Sequence, residues 1–203
     1  DEFNWGHLII DEGQDLSQDF YKLLSMIQKF FPKDKEPAMT IFADENQRLF
    51  DTQSSIDSIR KSTYGPSEYT LTRNYRNTME IAKVAKHFYT GLQTGVPELP
   101  NKHGEKPKLI RTKSKKETIR YIWRYIHNFT NESIGILVGN DEERKKYMKA
   151  LVDYQITQDN QNRLVRYQSY HWEDPKWKDA KQLVFDEPAV VTVISKYSAK
   201  GLE

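Results

Sequence analysis

The fold is decided by residues 8–15, LIIDEGQD, in which three apolar residues run directly into a segment that carries three acids. The short run at residues 7–10 is typical of a buried strand. A second run, MTIFA at residues 39–43, follows a segment whose apolar residues recur every three or four positions, which predicts a helix. That helix is expected to begin at Asp15 or Ser17, because both are good capping residues. The order is therefore strand, helix, strand, and the helical stripe is Leu16, Phe20, Leu23, Leu24, Ile27 and Phe31.

The rest of the chain continues this alternation. A second helix is predicted from Asn77, which forms a capping-box pattern with Glu80, to Leu92. Residues 95–107, with three prolines and two glycines, predict a loop. Further strands are predicted at residues 108–111, 134–139, 164–170 and 189–195, with helices opened by Ser114 with Glu117 and by Asn140 with Glu143. Alternation at these lengths favours an α/β fold, a parallel sheet with helices on both faces.

Composition narrows the class of protein. The chain has 203 residues, of which 37% are hydrophobic and 30% charged, with a formal net charge of +2 and no cysteine. These values are typical of a globular protein of one large or two small domains, and they exclude disulfides and cysteine zinc sites. No apolar run approaches the ~20 residues of a membrane span, and no signal peptide is recognisable, so we expect a cytoplasmic protein without membrane contact. Two basic clusters, residues 113–116 and 144–146, lie on predicted helices and are expected to be solvated.

Polar side chains follow both early strands. Asp11 and Glu12 end the first, and Asp44 and Gln47 follow the second. In open α/β sheets ligands bind beyond the carboxyl ends of the strands. One carboxylate there can hold Mg²⁺ and another can activate a water that attacks a phosphoryl group. Taken by itself, the DE pair would be explained by helix capping. A role in phosphoryl chemistry therefore depends on the motifs that accompany the pair.

Four segments carry a resemblance to a known family. IIDEGQD resembles motif II, the Walker B box, of superfamily I DNA helicases of the UvrD/Rep type, and FADENQRLF resembles motif III. LTRNYRN is similar to motif IV, and VTVISKYSAKGLE is similar to motif V. The four occur in the family's order and span nearly the whole chain. The resemblance implies RecA-like parallel sheets, with the end of a first motor domain in residues 1–65 and most of a second in residues 66–203.

The same resemblance implies a role for each matching residue. Asp11 would bind Mg²⁺ and ATP, Glu12 would be the catalytic base, and Gln47 would sense the γ-phosphate. Tyr75 would stack on adenine, Arg76 would be an arginine finger, and Glu203 would lie near the ribose. Contacts with single-stranded or partly duplex DNA, RNA not being excluded, would come from Phe50, Tyr197 and Lys200. Coupling between the nucleotide and DNA sites would use Gln14, Asp15 and Asp44.

The sequence also departs from the family pattern in motifs III and V. After QRLF the chain has Asp51-Thr-Gln-Ser-Ser55, which lacks an expected stacking ring and an arginine, and Tyr197 stands where motif V usually has histidine. The stretch at residues 153–188 is too short for the accessory domain of Rep-type enzymes. The sequence also has no G-x-x-x-x-G-K-[ST] phosphate loop. We therefore expect a piece of a longer helicase whose remainder supplies that loop.

Two other functions remain open at this point. A helicase-derived module that binds DNA or protein without catalysis would fit the altered motif III. A metal-dependent nuclease or phosphatase could use Asp11, Glu12, Asp15 and Asp44, although the five histidines show no ligand-like spacing.

Overall fold

Two units make up the chain, residues 1–109 (unit 1) and residues 110–203 (unit 2). The computed structural model describes residues 6–31, 38–63, 67–92, 95–158, 165–170 and 183–200. The boundary near residue 65 separates the two motor domains that the family resemblance implies, and it stays a prediction.

A pair of parallel strands forms the sheet of unit 1. β1 (Leu8–Ile10) pairs with β2 (Met39–Ile41) in the register Leu8↔Met39 and Ile10↔Ile41. α1 (Gln18–Gln28) connects them, and Ser17 caps it by accepting a hydrogen bond from Phe20 N at 3.3 Å. The predicted order strand, helix, strand is confirmed, with Ser17 and not Asp15 as the cap. The core of the unit is Ile10, Tyr21, Leu24 and Ile59.

Two further helices complete the regular structure described in unit 1. α2 (Ile56–Ser62) was not predicted, because it is short and buries only Ile59 among polar neighbours. α3 (Met79–Lys86) is shorter than predicted, and the extension to Leu92 is wrong. Phe88 is 78% exposed, so no packing supports a further turn there.

The start of α3 also differs from the predicted capping box. Thr78 is the N-cap, and its hydroxyl accepts from Ile81 N at 3.5 Å. Glu80 instead binds the following loop, where its carboxylate contacts His103 Nδ1 at 2.9 Å and accepts from Gly104 N at 2.8 Å. These contacts, that with His103 foremost, lower the pKa of Glu80 to about 2. The side chain is therefore unable to close a capping box.

Unit 2 contains a three-stranded parallel sheet. β3 (Ile134–Val138), β4 (Arg166–Ser169) and β5 (Val190–Ser195) are arranged in the order β3-β5-β4. α4 (Lys115–Asn128) and α5 (Asp141–Gln158) pack together, and α6 (Lys196–Ala199) follows β5 directly. All residues of β5 are buried, as its continuous apolar sequence predicts for a central parallel strand. The core includes Ile119, Ile126, Met148, Leu151, Val165, Val191 and Val193.

The capping predictions in unit 2 are confirmed. Ser114 Oγ accepts from Glu117 N at 3.2 Å, and Asn140 Oδ1 accepts from Glu143 N at 2.9 Å. The predicted strand at residues 108–111 is wrong, because these residues have no regular secondary structure and Leu109 is fully exposed.

One of the basic clusters is also not as expected. Arg144 is completely buried, and its guanidinium donates to Ser169 Oγ at 2.8 Å at the end of β4. Because this arginine fixes α5 to the sheet, only its neighbours in the cluster of residues 144–146 are solvated.

The α/β class is thus confirmed in its general form, as small parallel sheets combined with helices. That the sheets belong to RecA-like motor domains stays a prediction. No helix in the described part of the chain is long and apolar enough to cross a membrane.

Candidate functional site

The candidate site begins where β1 and β2 end together. Phe42 N donates to Ile10 O, and Gly13 N donates to Phe42 O, each at 2.8 Å. These bonds continue the strand pairing past both strands, so that the chain at residues 11–13 runs beside the chain that leads to Asp44. The acids after β1 and the polar turn after β2 therefore share one edge of the sheet, as the sequence predicts.

Gln14 connects the two strand ends through its side chain. It is fully buried, its amide nitrogen donates to Glu12 Oε2, and its amide oxygen accepts from Asp44 N at 2.9 Å. An amide suits this position because it needs one donor and one acceptor, whereas a carboxylate has only acceptors. We name this connection the Gln14 bridge; it holds the Glu12 carboxylate in a fixed position relative to the second strand.

Glu12 has a strained backbone. Its φ of 51° and ψ of 40° lie in the left-handed region, which is uncommon for residues other than glycine. Strain of this kind costs on the order of 1–3 kcal/mol and persists only where the surroundings enforce it. Here the Gln14 bridge and the bond from Glu12 N to Asp11 Oδ1, at 2.9 Å, enforce it. Glu12 is partly exposed and Asp11 is exposed, so solvent reaches both carboxylates.

Gly13 and Tyr21 form the buried side of the site. The Tyr21 hydroxyl donates to Gly13 O at 2.7 Å, and burial of the ring raises the pKa of Tyr21 to about 12. A Cβ at Gly13 would lie 2.6 Å from Ile41 Cγ2 and 2.7 Å from the Tyr21 hydroxyl. Only glycine allows this close approach, so the position of the acids depends on it.

Asp44 organises the turn after β2. One carboxylate oxygen accepts from Asn46 N at 3.0 Å, and the other accepts from Gln47 Nε2 at 3.2 Å. The residues Glu45–Gln47 form a 3₁₀ turn capped by Asp44. Gln47 is partly exposed, so its side chain is accessible to solvent while it contacts Asp44.

Gln53 is a connecting residue that the sequence reasoning missed. Its amide nitrogen donates to Asp15 Oδ1 at 2.7 Å, and its amide oxygen accepts from Leu49 N and from Phe50 N at 2.5 and 2.9 Å. Gln53 lies within the stretch that departs from the family's motif III. Its partner Asp15 lies 38 positions away, and no sequence pattern indicates that pairing. Phe50 is 53% exposed, so it is not a core residue.

Tyr75 and Arg76 lie on an exposed segment before α3, within unit 1. Asn74 Oδ1 accepts from the backbone nitrogens of Arg76 and Asn77, each at 3.1 Å, which fixes the local turn. The Tyr75 ring is 78% exposed, and the Arg73 guanidinium lies 5.9 Å from its centre. The backbone of Arg73 also forms a bridge with Glu98, so the segment is joined to the loop after α3.

The remaining predicted residues belong to unit 2. Tyr197 and Lys200 follow β5, where Ser195 Oγ accepts from Ser198 N at 3.3 Å and begins α6. The Lys196 ammonium lies 5.0 Å from the centre of the exposed Tyr197 ring. Glu203 lies outside the described residues.

The residues at the edge of unit 1 fit a magnesium ion that is completed by a ligand. Mg²⁺ is usually held by one or two carboxylates together with waters and phosphate oxygens. Asp11 supplies an exposed carboxylate at the strand end, and Glu12 lies next to it. No group of three or more metal-binding side chains occurs in the described ranges, so a fully protein-made metal centre is not found there.

The chain was compared with family models, curated proteins and solved structures, and none of them matches it.

Proposed function

We propose that this chain is part of an ATP-dependent superfamily I helicase that moves along single-stranded DNA and unwinds duplexes. The single observation that carries the proposal is the Gln14 bridge, because it joins the acids of motif II to the start of motif III. A purely structural strand end has no need of a buried amide that positions a solvent-exposed carboxylate. The four motifs in family order supply the rest of the support.

In this proposal the chain's own residues divide the work. Asp11 would hold Mg²⁺, which would neutralise phosphate charge, and Glu12 accepts the proton of the attacking water. Gln47 leaves Asp44 to contact the γ-phosphate, and Arg76 approaches from the following segment to stabilise the developing charge. Tyr75 stacks on adenine, and Glu203 lies near the ribose.

A route for coupling follows from the same contacts. Gln14 links Glu12 to Asp44, whose carboxylate holds Gln47. Gln53 links Asp15 to the backbone of Phe50, the aromatic residue proposed to stack on DNA. Gln14 and Asp15 are neighbours in the sequence, so the two sets of contacts meet there and would transmit a change at the phosphates to Phe50. Tyr197 and Lys200 would provide further DNA contacts, and RNA remains an alternative strand.

The proposal requires a phosphate loop from outside these 203 residues, because the sequence contains none. A cytoplasmic location stays a prediction as well. The second candidate is a helicase-derived module that binds DNA or protein without hydrolysis. It is favoured by one observation, that residues 51–55 lack the stacking ring and arginine expected in motif III.

The test is steady-state ATP hydrolysis by the longer protein that contains this chain, with and without single-stranded DNA. We expect stimulation by DNA, which Glu12→Gln and Arg76→Ala each reduce by at least about 100-fold, the scale of a lost catalytic group. Matched controls are Glu187→Gln and Arg166→Ala, which change the two partners of an exposed ion pair in unit 2. Both controls should retain activity.

The two candidate functions predict different results. Hydrolysis that both variants abolish supports the motor. Retained DNA binding without hydrolysis in the unmodified protein would contradict it and favour the non-catalytic module. Hydrolysis that persists in Glu12→Gln would contradict the assignment of the base.

A further inference from the structure

The outer face of α4 has an unusual composition for an exposed helix. Arg120, Tyr121, Arg124, Tyr125 and Phe129 all lie on the solvent side, and we call them the α4 outer face. The opposite side buries Ile119 and Ile126 in the core of unit 2. The helix is therefore firmly placed, and its outer face combines cations with aromatic rings.

The charge on this face is not compensated locally. α4 contains four basic residues and one acid, Glu117. The Glu117 carboxylate accepts from Lys113 N at 2.7 Å and so is engaged in the cap. Within the described part of the chain, neither Arg120 nor Arg124 forms an ion pair, whereas Lys149 and Arg166 elsewhere in unit 2 each pair with a carboxylate. Two arginines one helical turn apart thus present full positive charge to solvent.

The aromatic rings on the same face are partly open. Tyr121, Tyr125 and Phe129, spaced at four residues, are each 40 or 41% exposed. The rings of Tyr125 and Phe129 lie 4.6 Å apart and support each other. The rings of Tyr125 and Phe129 therefore have a defined position, and all three rings have an accessible surface on which a flat group can stack.

A basic cleft of about 450 Å³ lies at the N-terminal end of the same helix. Lys113, Lys115 and Lys146 line it together with Tyr147, whose ring centre is 5.1 Å from the Lys115 ammonium. The carboxylate in its lining, Glu143, accepts from Gly139 N at 2.9 Å. Lys146 also contacts Glu142 at 3.2 Å on the exposed surface. Positive charge therefore extends from the outer face to the start of α4.

We propose that the α4 outer face and this cleft bind single-stranded nucleic acid. Proteins that bind such strands combine a basic track for the phosphates with aromatic side chains on which bases stack. The 14 residues of α4 extend over about 21 Å, enough for several nucleotides. An acidic protein would satisfy the arginines but would not require the row of rings. The inference does not rest on ATP hydrolysis, and it concerns residues other than Phe50, Tyr197 and Lys200.

The experiment measures binding of the full chain to a fluorescein-labelled oligothymidylate of about 16 nucleotides, a length within known site sizes, by fluorescence anisotropy. We expect the Arg120→Gln/Arg124→Gln double variant to weaken binding and to reduce the slope of log K against log salt by about 1.4, since each phosphate contact contributes about 0.7. We expect Tyr121→Ala to weaken binding by about 5- to 150-fold, the loss of one base stack.

The matched control is the Lys149→Gln/Arg166→Gln double variant, which removes the same charge from unit 2 at residues that belong neither to the α4 outer face nor to the lining of the cleft. It should bind like the unmodified chain, and circular dichroism should be the same for all variants. Equal loss in both double variants would show general charge attraction and overturn the proposal. Unchanged binding in Arg120→Gln/Arg124→Gln, or equal competition by polyglutamate, would overturn it too. If the longer protein does not hydrolyse ATP but the variants show the expected pattern of oligonucleotide binding, the proposed helicase function is contradicted and the nucleic-acid site on α4 is not.

Discussion

Gly13 is the residue on which the geometry of the acids most depends. A methyl group there would lie within 2.7 Å of both Ile41 and the Tyr21 hydroxyl. We expect Gly13→Ala to lower the free energy of unfolding by about 1–3 kcal/mol, the usual cost of overpacking. Urea denaturation measures it, and Gly135→Ala is the control, because a Cβ there meets no atom within 4 Å. Equal stability of the two variants would contradict the close packing at Gly13.

Tyr21 gives the protein a pH dependence in the alkaline range. Its buried hydroxyl has a pKa of about 12, above the value of about 10 in an unfolded chain. The folded state therefore retains a proton that the unfolded state loses, and this contribution to stability, complete below about pH 10, declines as the pH rises towards 12. Unfolding free energies measured across this range should fall more steeply for the unmodified chain than for Tyr21→Phe. Parallel pH profiles would contradict the assignment.

The site was predictable from the sequence only in part. Asp11, Glu12 and Asp44 could be placed at one edge because parallel strands end together. The Gln14 bridge and the Gln53 contacts could not, since their partners lie 30 and 38 positions away and a glutamine carries no signal for its hydrogen bonds. The roles assigned to these residues stay predictions.

At the scale of the elements, α4 begins at a defined cap, Ser114, which precedes its first residue, Lys115. Ser114 Oγ accepts a hydrogen bond from Glu117 N, and the Glu117 carboxylate accepts one from Lys113 N. We expect Ser114→Ala to lower the free energy of unfolding by about 1 kcal/mol, the typical value for a lost N-cap. Thermal unfolding measures the change against Ser133→Ala, an exposed serine before β3. A loss in the control as large as in Ser114→Ala would remove capping as the explanation.

The elements that could be predicted are those with a long or continuous pattern. α4, α5 and β5 were predicted because their apolar residues recur over many positions or form one run. The predictions of a strand at residues 108–111 and of a longer α3 were wrong. The apolar side chains Leu109 and Phe88 are exposed there, so packing does not stabilise a regular element. α2 was missed because a single buried isoleucine leaves no period.

At the scale of the whole molecule, the proposed function makes a prediction about this chain alone. It carries acids and an arginine of the proposed type but no phosphate loop. We expect the 203-residue chain to hydrolyse ATP no faster than its Glu12→Gln variant, as measured by phosphate release. Multiple turnover that is lost in Glu12→Gln would contradict the requirement for an external loop.

The strand order of unit 2 has a consequence for its synthesis. β5 separates β3 from β4, yet it is the last of the three to leave the ribosome. In the native arrangement β3 and β4 each pair with β5 and not with each other. Both strands therefore stay unpaired until residues 190–195 have emerged. A nascent chain that stalls before that point exposes unpaired strand edges, which are prone to aggregate. Unit 2 is thus expected to depend on chaperones until translation has passed β5.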